Sequence, residues 1–310
     1  MKVITPLFKD SVFIITHSEY VHDIAFSPNG LILASAEERP DVVNLWNIQD
    51  RTKDRTFSGH THAVSSIAFH SRGHMLASGS YDTTVRIWNV EDGQVSSILQ
   101  AHNQPVKTVA FSPVADIVAS GSEDATIKLW DARAGTLLLN LEGHSTSVET
   151  IAFSPDGQFL VSGSSDTTIK CWDTQTGTLV RTVAGHADTV RALAYHANGM
   201  VLASGSSDQS VKVWDIVSGG HIYTYHGSFE SVSSLGFSPD GNTLMCAYFR
   251  DDFLLKLIDA STGRERQTVI GMSDEIVSAV FHPDGTMIAA GGGGRSGGTI
   301  EIWQVVHQYA

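Results

Sequence analysis

The chain is short of cysteine, of charge and of long apolar runs. Two cysteines, Cys171 and Cys246, occur in 310 residues, too few for a disulfide framework or a structural zinc site. That usage implies a reducing compartment, so a cytoplasmic location is expected, or a nuclear one in a eukaryote. Charged residues make up 17% of the chain, below the roughly 25% usual in soluble domains. Cations are the scarcer sign: 20 Lys and Arg face 33 Asp and Glu, for a formal net charge of −13. A protein that grips a phosphate backbone shows the opposite balance, so nucleic acid is not the expected partner. No apolar run approaches the ~18 residues of a membrane-spanning helix. Lys2, Lys9 and Asp10 interrupt the N-terminus, which therefore lacks the apolar core of a secretory signal. The hydrophobic share, 42%, is high enough to bury a core and argues against disorder.

What the chain does contain is a period. Trp46, Trp88, Trp130, Trp172 and Trp214 follow one another at steps of 42 residues, and Phe26, Phe69, Phe111, Phe153, Tyr195, Phe237 and Phe281 keep nearly the same step. Length alone, at ~150 residues per domain, suggests two domains. The period replaces that estimate with seven units, approximately 17–57, 60–100, 102–142, 144–184, 186–226, 228–270 and 272–306, in one domain over 1–310. The sixth unit carries Ile258 where Trp would stand, and the seventh regains it as Trp303.

Each unit reads as strands. Leu76–Ser80 and Thr84–Trp88 flank the turn at Tyr81-Asp82-Thr83, and the second run alternates apolar and polar residues. Glu91-Asp92-Gly93 supplies the next reversal, since Gly tolerates positive φ. Four strands in about 42 residues is the size of a propeller blade. With Gly59-His60, Asp82 and Trp88-Asn89 in one unit, Gly143-His144, Asp166 and Trp172-Asp173 in another, and Gly185-His186, Asp208 and Trp214-Asp215 in a third, the chain resembles the WD-repeat β-propellers. Its regular repeats are closest in style to the 42-residue arrays of bacteria and fungi. The resemblance implies an all-β, seven-bladed propeller with four antiparallel strands per blade. Because the last unit ends soon after Trp303, residues 11–15 are expected to complete the last blade and so remove an exposed sheet edge.

The polar residues that recur are His60, Ser78, Asp82 and Trp88; His102, Ser120, Asp124 and Trp130; His144, Ser162, Asp166 and Trp172; and His186, Ser204, Asp208 and Trp214. Ser, His and Asp can form a catalytic triad. Four identical sets around one ring instead indicate a hydrogen-bond chain, resembling the structural tetrad of the family. His60-Thr61-His62 lacks the Cys or acidic neighbours of a metal site, so no metal or cofactor is expected. Gly292, Gly294 and Gly297 match G-x-G-x-x-G, yet lie between strands with no helix to receive a phosphate, and read as a hairpin loop. Cys171 stands where Leu45, Ile87, Leu129 and Val213 stand elsewhere, and Cys246 takes a tetrad serine's place; both read as buried.

Specific function should reside in the departures from the repeat. Units one, six and seven carry extra residues in the hairpin joining the second and third strands, at Glu37–Asp41, Ala247–Phe253 and Gly291–Gly298. In a closed ring these units are neighbours, so the three loops should form one sector with Tyr20, Phe229, Tyr248, Phe249, Arg250 and Asp251. Aromatics and Arg with a polar rim suit a binding hot spot. Nearer the axis, the residue after each inner strand's first apolar anchor varies: His22, Ser65, Lys107, Glu149, Arg191, Ser233 and Val277. So does the residue before each turn aspartate: Pro40, Tyr81, Glu123, Ser165, Ser207 and Asp251. In related propellers such positions ring the channel mouth, and here their mixed charge suits a polar or basic peptide. The expected function is a non-catalytic scaffold, monomeric by itself, that binds protein or peptide partners on this face. The alternative is a small-ligand-binding or catalytic propeller with its site at the channel mouth, which would need an unrepeated cluster of acids, histidines or metal ligands.

Overall fold

The computed structural model describes residues 13–17, 20–39, 41–100, 102–249, 254–270, 275–294 and 297–305. Alternation in the sequence becomes alternation in burial. In Thr84–Asn89, Val85 and Ile87 are buried while Thr84 and Arg86 are half-buried. Met75–Ser80, in the middle of its sheet, is buried along its whole length. The tight turn between them works because Asp82 Oδ1 accepts from the amide and the hydroxyl of Thr84, at 2.9 and 2.6 Å. That bonding holds Thr83 at a φ of 71°, a left-handed conformation seldom adopted by a residue other than glycine.

Among the described residues, 28 strands form seven four-stranded antiparallel sheets. Blade two shows the order from axis to rim: Val64–Phe69, Met75–Ser80, Thr84–Asn89 and Val95–Gln100. Inner strands of successive blades touch, and those of the first and seventh touch as well, closing the ring. The seventh blade takes its outer strand from the N-terminus. Phe13–His17 pairs antiparallel with Gly297–Gln304, Phe13 facing Ile302 and His17 facing Gly298. The closing strand therefore reaches two residues beyond the expected 11–15, of which Ser11 and Val12 lie outside the described residues.

The core lies between blades. Each of seven apolar clusters straddles two neighbours; Met75, Val85 and Leu99 of blade two, for example, pack with Val106, Val118 and Trp130 of blade three. Ile15, Ile300 and Ala289 pack with Val21, Ile24 and Leu33 across the closure. Full burial of such an aliphatic side chain contributes about 1.5–3 kcal/mol, so stability depends on the whole ring being shut.

On the end of the ring away from the 37–42 and 80–84 hairpins, three histidines reach from one blade to the next. His70 Nε2 meets Asp116 Oδ1 at 2.8 Å, His196 Nε2 meets the Gly241 carbonyl at 3.1 Å, and His282 Nε2 meets the Gly30 carbonyl at 3.0 Å. The equivalent places in other blades hold Ser27, Ser112, Ser154 and Ser238, too short for that reach. His70, His74 and Asp116 lie close enough to suggest a metal site. Yet His70 Nδ1 accepts from the Arg72 amide at 3.0 Å, so Nε2 carries the proton and gives it to Asp116. That leaves His70 no lone pair for an ion.

One expected loop is strand. Met287–Gly294 and Gly297–Gln304 continue their ladder through Gly291 opposite Ile300 to Gly294 opposite Gly297. The extra residues of blade seven lengthen the hairpin because continued pairing satisfies each added N–H and C=O. A Cβ on Gly292 would lie 1.9 Å from the Glu275 carbonyl oxygen, which accounts for glycine there.

Candidate functional site

Among the described residues, four tetrads are complete. In blade four, Trp172 Nε1 donates to Ser162 Oγ at 2.9 Å, Ser162 lies 2.7 Å from His144 Nε2, and His144 Nδ1 lies 2.7 Å from Asp166. Ionised Asp166 can only accept, so the neutral imidazole carries its proton on Nδ1 and its Nε2 accepts from the Ser162 hydroxyl, whose lone pair takes the indole N–H. Blades two, three and five repeat the chain through His60, His102 and His186. Burial alone would raise the Asp166 carboxyl, but hydrogen bonds from Thr168 and His144 outweigh it and hold it at about 2. Burial lowers His102, His144 and His186 below their ordinary value. The arrangement copies a triad in connectivity but has no access: Ser78, Ser120, Ser162 and Ser204 are fully buried. These residues brace the hairpins. A Cβ on Gly143 would come within 2.9 Å of the Trp172 ring, which explains the Gly before the His.

The irregular blades replace the tetrad in different ways. In blade one Trp46 still donates to Ser35, but Ser35 now donates to buried Glu37, which also accepts from Asn44. In blade six Cys246 and Ile258 take the Ser and Trp places, and Tyr248 fills the remaining space with them in an apolar cluster. Tyr248 is only 1% exposed. It is therefore not a surface contact, contrary to the sequence expectation: removing Trp and His left a volume that an aromatic ring occupies. Cys171 and Cys246 are buried thiols, and burial raises both, Cys171 to about 11.

The exposed, unrepeated chemistry converges at the channel mouth. A cavity of about 440 Å³ is lined by all seven variable residues of the inner strands, His22, Ser65, Lys107, Glu149, Arg191, Ser233 and Val277, together with Tyr20, Glu38, Tyr81 and Phe249. Below it a narrower polar channel of about 180 Å³ passes Asp23, Ser66, Thr108 and Ser278. Asp23 accepts from Ser278 Oγ at 2.8 Å and from the Ile67 amide at 2.9 Å, and burial pushes its carboxyl up.

Among the described residues at the mouth, Lys107, Glu123, Glu149 and Glu275 are engaged, whereas the His22 and Glu38 side chains make no hydrogen bond. Lys107 Nζ lies 3.4 Å from Glu123 and 5.0 Å from the centre of the Tyr81 ring. Burial would lower the Lys107 ammonium, but Tyr81, Glu149 and Glu123 outweigh it and the group stays charged. Glu149 accepts from Ser165 Oγ at 2.9 Å, and Tyr20 donates to Glu275 at 2.9 Å. His22 lies 3.8 Å from Glu38, and burial, aided by Lys107, keeps the imidazole below its ordinary value. Arg191 differs. Its Nε donates to Ser207 Oγ at 2.6 Å and its guanidinium lies 5.6 Å from the Phe249 ring, while its two terminal nitrogens have no partner among the described residues.

Two ring positions change identity. Counting back from a turn aspartate selects Pro40 and Asp251, but the backbone places Glu38 and Phe249 beside Tyr81, Glu123, Ser165 and Ser207. Glu38 N bonds Tyr20 O and Phe249 N bonds Ser231 O, as Tyr81 N bonds Ala63 O. The extra hairpin residues follow these positions, and Asp41 sits where Thr83 sits, at a φ of 60°. Pro40, Arg250, Asp251 and Phe253 lie outside the described residues. Phe229 is 90% exposed, on the connection leading to Ser233, and does not line the cavity.

The sequence pattern described as WD domain, G-beta repeat matches residues 9–47, 51–89, 93–131, 135–173, 177–215, 219–259 and 263–304. Among curated proteins, the Periodic tryptophan protein 2 homolog of Schizosaccharomyces pombe is 40% identical over 63 residues, 20% of this chain and 7% of that protein. Periodic tryptophan protein 2 of Arabidopsis thaliana is 36% identical over 66 residues, 21% of this chain and 7% of that protein. Pre-mRNA-processing factor 19 homolog 2 of Arabidopsis thaliana is 36% identical over 58 residues, 19% of this chain and 11% of that protein. Each alignment thus spans a small part of the relative's length. Seven matched repeats, seven blades and four tetrads agree: the chain belongs to the WD domain, G-beta repeat family.

Proposed function

We propose that the protein is a non-catalytic scaffold that binds a peptide segment of a protein partner at the channel mouth. The observation that carries this reading is the state of Arg191. Ser207 and the Phe249 ring fix its guanidinium, and both terminal nitrogens have no partner among the described residues, at the edge of a cavity lined by all seven blades. A fixed guanidinium fork suits a carboxylate, so the segment carries an acidic side chain opposite Arg191. Tyr20, Tyr81 and Phe249 supply ring faces for apolar neighbours of that side chain. This narrows the expectation to a segment with an acidic group opposite Arg191, because Glu123, Glu149 and Glu275 are bonded within the protein; Glu38, 3.8 Å from His22, is left to face a polar or basic neighbour.

Selection of displayed random peptides on the purified chain tests the reading. Enriched peptides should contain Asp or Glu, and Arg191→Gln or Phe249→Ala should weaken them about tenfold or more. Peptides that bind both variants as tightly as the parent chain would place the site elsewhere.

A further inference from the structure

A second cavity, of about 580 Å³, opens between blades four and five near the turns opposite the mouth. Its size lies within the ~300–1,000 Å³ of small-molecule sites. Two departures from the repeat face it. Cys171 stands where Leu45, Ile87, Leu129, Val213, Leu257 and Ile302 stand in the other blades, so the floor is lower by the difference between a branched aliphatic side chain and the smaller Cβ–Sγ of cysteine. Tyr195 stands where the other six blades have Phe, and adds a hydroxyl. That hydroxyl has no hydrogen-bond partner among the described residues. Phe159, Ile216 and the exposed Met200 and Val217 make the walls apolar.

The charge open to a ligand is negative. Asp156, on the rim, takes Ser154 Oγ and the Gln158 amide on Oδ1, at 2.6 and 3.0 Å, and these bonds hold its carboxyl below the usual range. Its Oδ2 is uncommitted among the described residues; burial pushes the Tyr195 hydroxyl up, and the Asp156 charge adds to that. The one cation of the lining, Arg181, is spent on protein carbonyls: its terminal nitrogens donate to Val217 and Ser218 at 2.9 and 2.7 Å. A chain with a net charge of −13 also draws cations towards its surface.

From these features we infer that the recess between blades four and five is a binding site for a small apolar molecule bearing an amine. The apolar body rests on Cys171 between Phe159 and Met200, the ammonium faces Asp156, and Tyr195 hydrogen-bonds a polar atom of the ligand. The site is independent of the channel mouth and of any peptide bound there.

The test is a titration of the full chain, carrying methyl-13C methionine, with 1-naphthylmethylamine and with 1-naphthoic acid. The Met200 methyl resonance should shift saturably with the amine, and the acid should bind about fivefold more weakly, the modest effect of an exposed carboxylate. Cys171→Leu restores the residue type of other blades and fills the floor; it should abolish the shift without lowering the melting temperature. Tyr195→Phe, also the residue of other blades, should weaken the amine severalfold, and serves if the leucine variant does not fold. Asp156→Asn should make amine and acid equal. Absence of saturable binding, equal affinity for acid and amine in the parent chain, or undiminished binding by a folded Cys171→Leu or Tyr195→Phe chain would each overturn the proposal.

Discussion

His282 Nε2 lies 3.0 Å from the carbonyl oxygen of Gly30, which ties the seventh blade to the first across the junction where the ring closes. Three further links cross the same junction: Ser278 to Asp23, Tyr20 to Glu275, and the strand Phe13–His17 laid on Gly297–Gln304. A propeller whose core lies between blades loses two faces of packing if one junction opens, so these links carry more than their own hydrogen bonds.

Removal of residues 1–16 takes away most of the closing strand with buried Ile15. The melting temperature should fall by roughly 10 °C or more, given about 1.5 °C per kcal/mol for a 310-residue chain at ~2.1 cal/mol/K per residue. His282→Ser, which installs the residue of four other blades, removes the bond to Gly30 and the packing of a buried ring against Phe26, and should cost about 2–3 kcal/mol, less than the truncation. Differential scanning calorimetry of both variants checks the ranking, and an unchanged melt for the truncated chain would refute the closure.

The tetrad and its apolar replacement should respond oppositely to the same hydroxyl. Ser162→Ala strips a partner from both Trp172 and His144 and should cost about 2–3 kcal/mol. Cys246→Ser recreates the tetrad serine in a blade that has Ile258 and Ser228 for Trp and His, and should also destabilise, by about 1–2 kcal/mol, because the new hydroxyl is buried among apolar groups. Urea denaturation would show whether adding an oxygen in blade six hurts as removing one does in blade four.

Acid should weaken the fold in two stages. His102, His144 and His186 have folded pKa values below the ordinary 6.5, so the unfolded chain binds protons more readily and stability declines as pH falls below about 6.5. Asp82, Asp166 and Asp208 are held below 3.8, Asp166 and Asp208 at about 2. Their contribution is full above about pH 4 and is lost as pH drops towards those folded values. Both groups slope the same way, and melts between pH 8 and pH 3 should record a gentle fall followed by a steeper one.

Much of this was readable from the period. Spacing, together with the resemblance to WD-repeat propellers, located the four tetrads, the seven blades and all seven inner-strand residues of the mouth, because a repeat transmits the place of each side chain from one unit to the next. Where the period breaks, position can no longer be transferred. Glu38 and Phe249 displaced Pro40 and Asp251 because extra residues entered after the ring position, and hairpin counting cannot see on which side of it they enter. Tyr248 turned inward because the loss of Trp and His in blade six created a volume to fill. The histidine links at His70, His196 and His282 were visible only as exchanges for serine, whose consequence depends on a distance between blades. The same holds for the recess over Cys171, where a buried small residue was foreseen but not the space above it.

Hydrogen–deuterium exchange of the chain with a selected acidic peptide bound tests the central claim most directly. Binding at the mouth should protect amides in the connections that enter the inner strands, around 20–23, 105–108, 189–192 and 229–233, and leave the outer strands and the turns near Gly30, Gly73 and Gly199 unchanged. Protection confined to an outer strand such as Thr136–Glu142, or to those opposite turns, would contradict it.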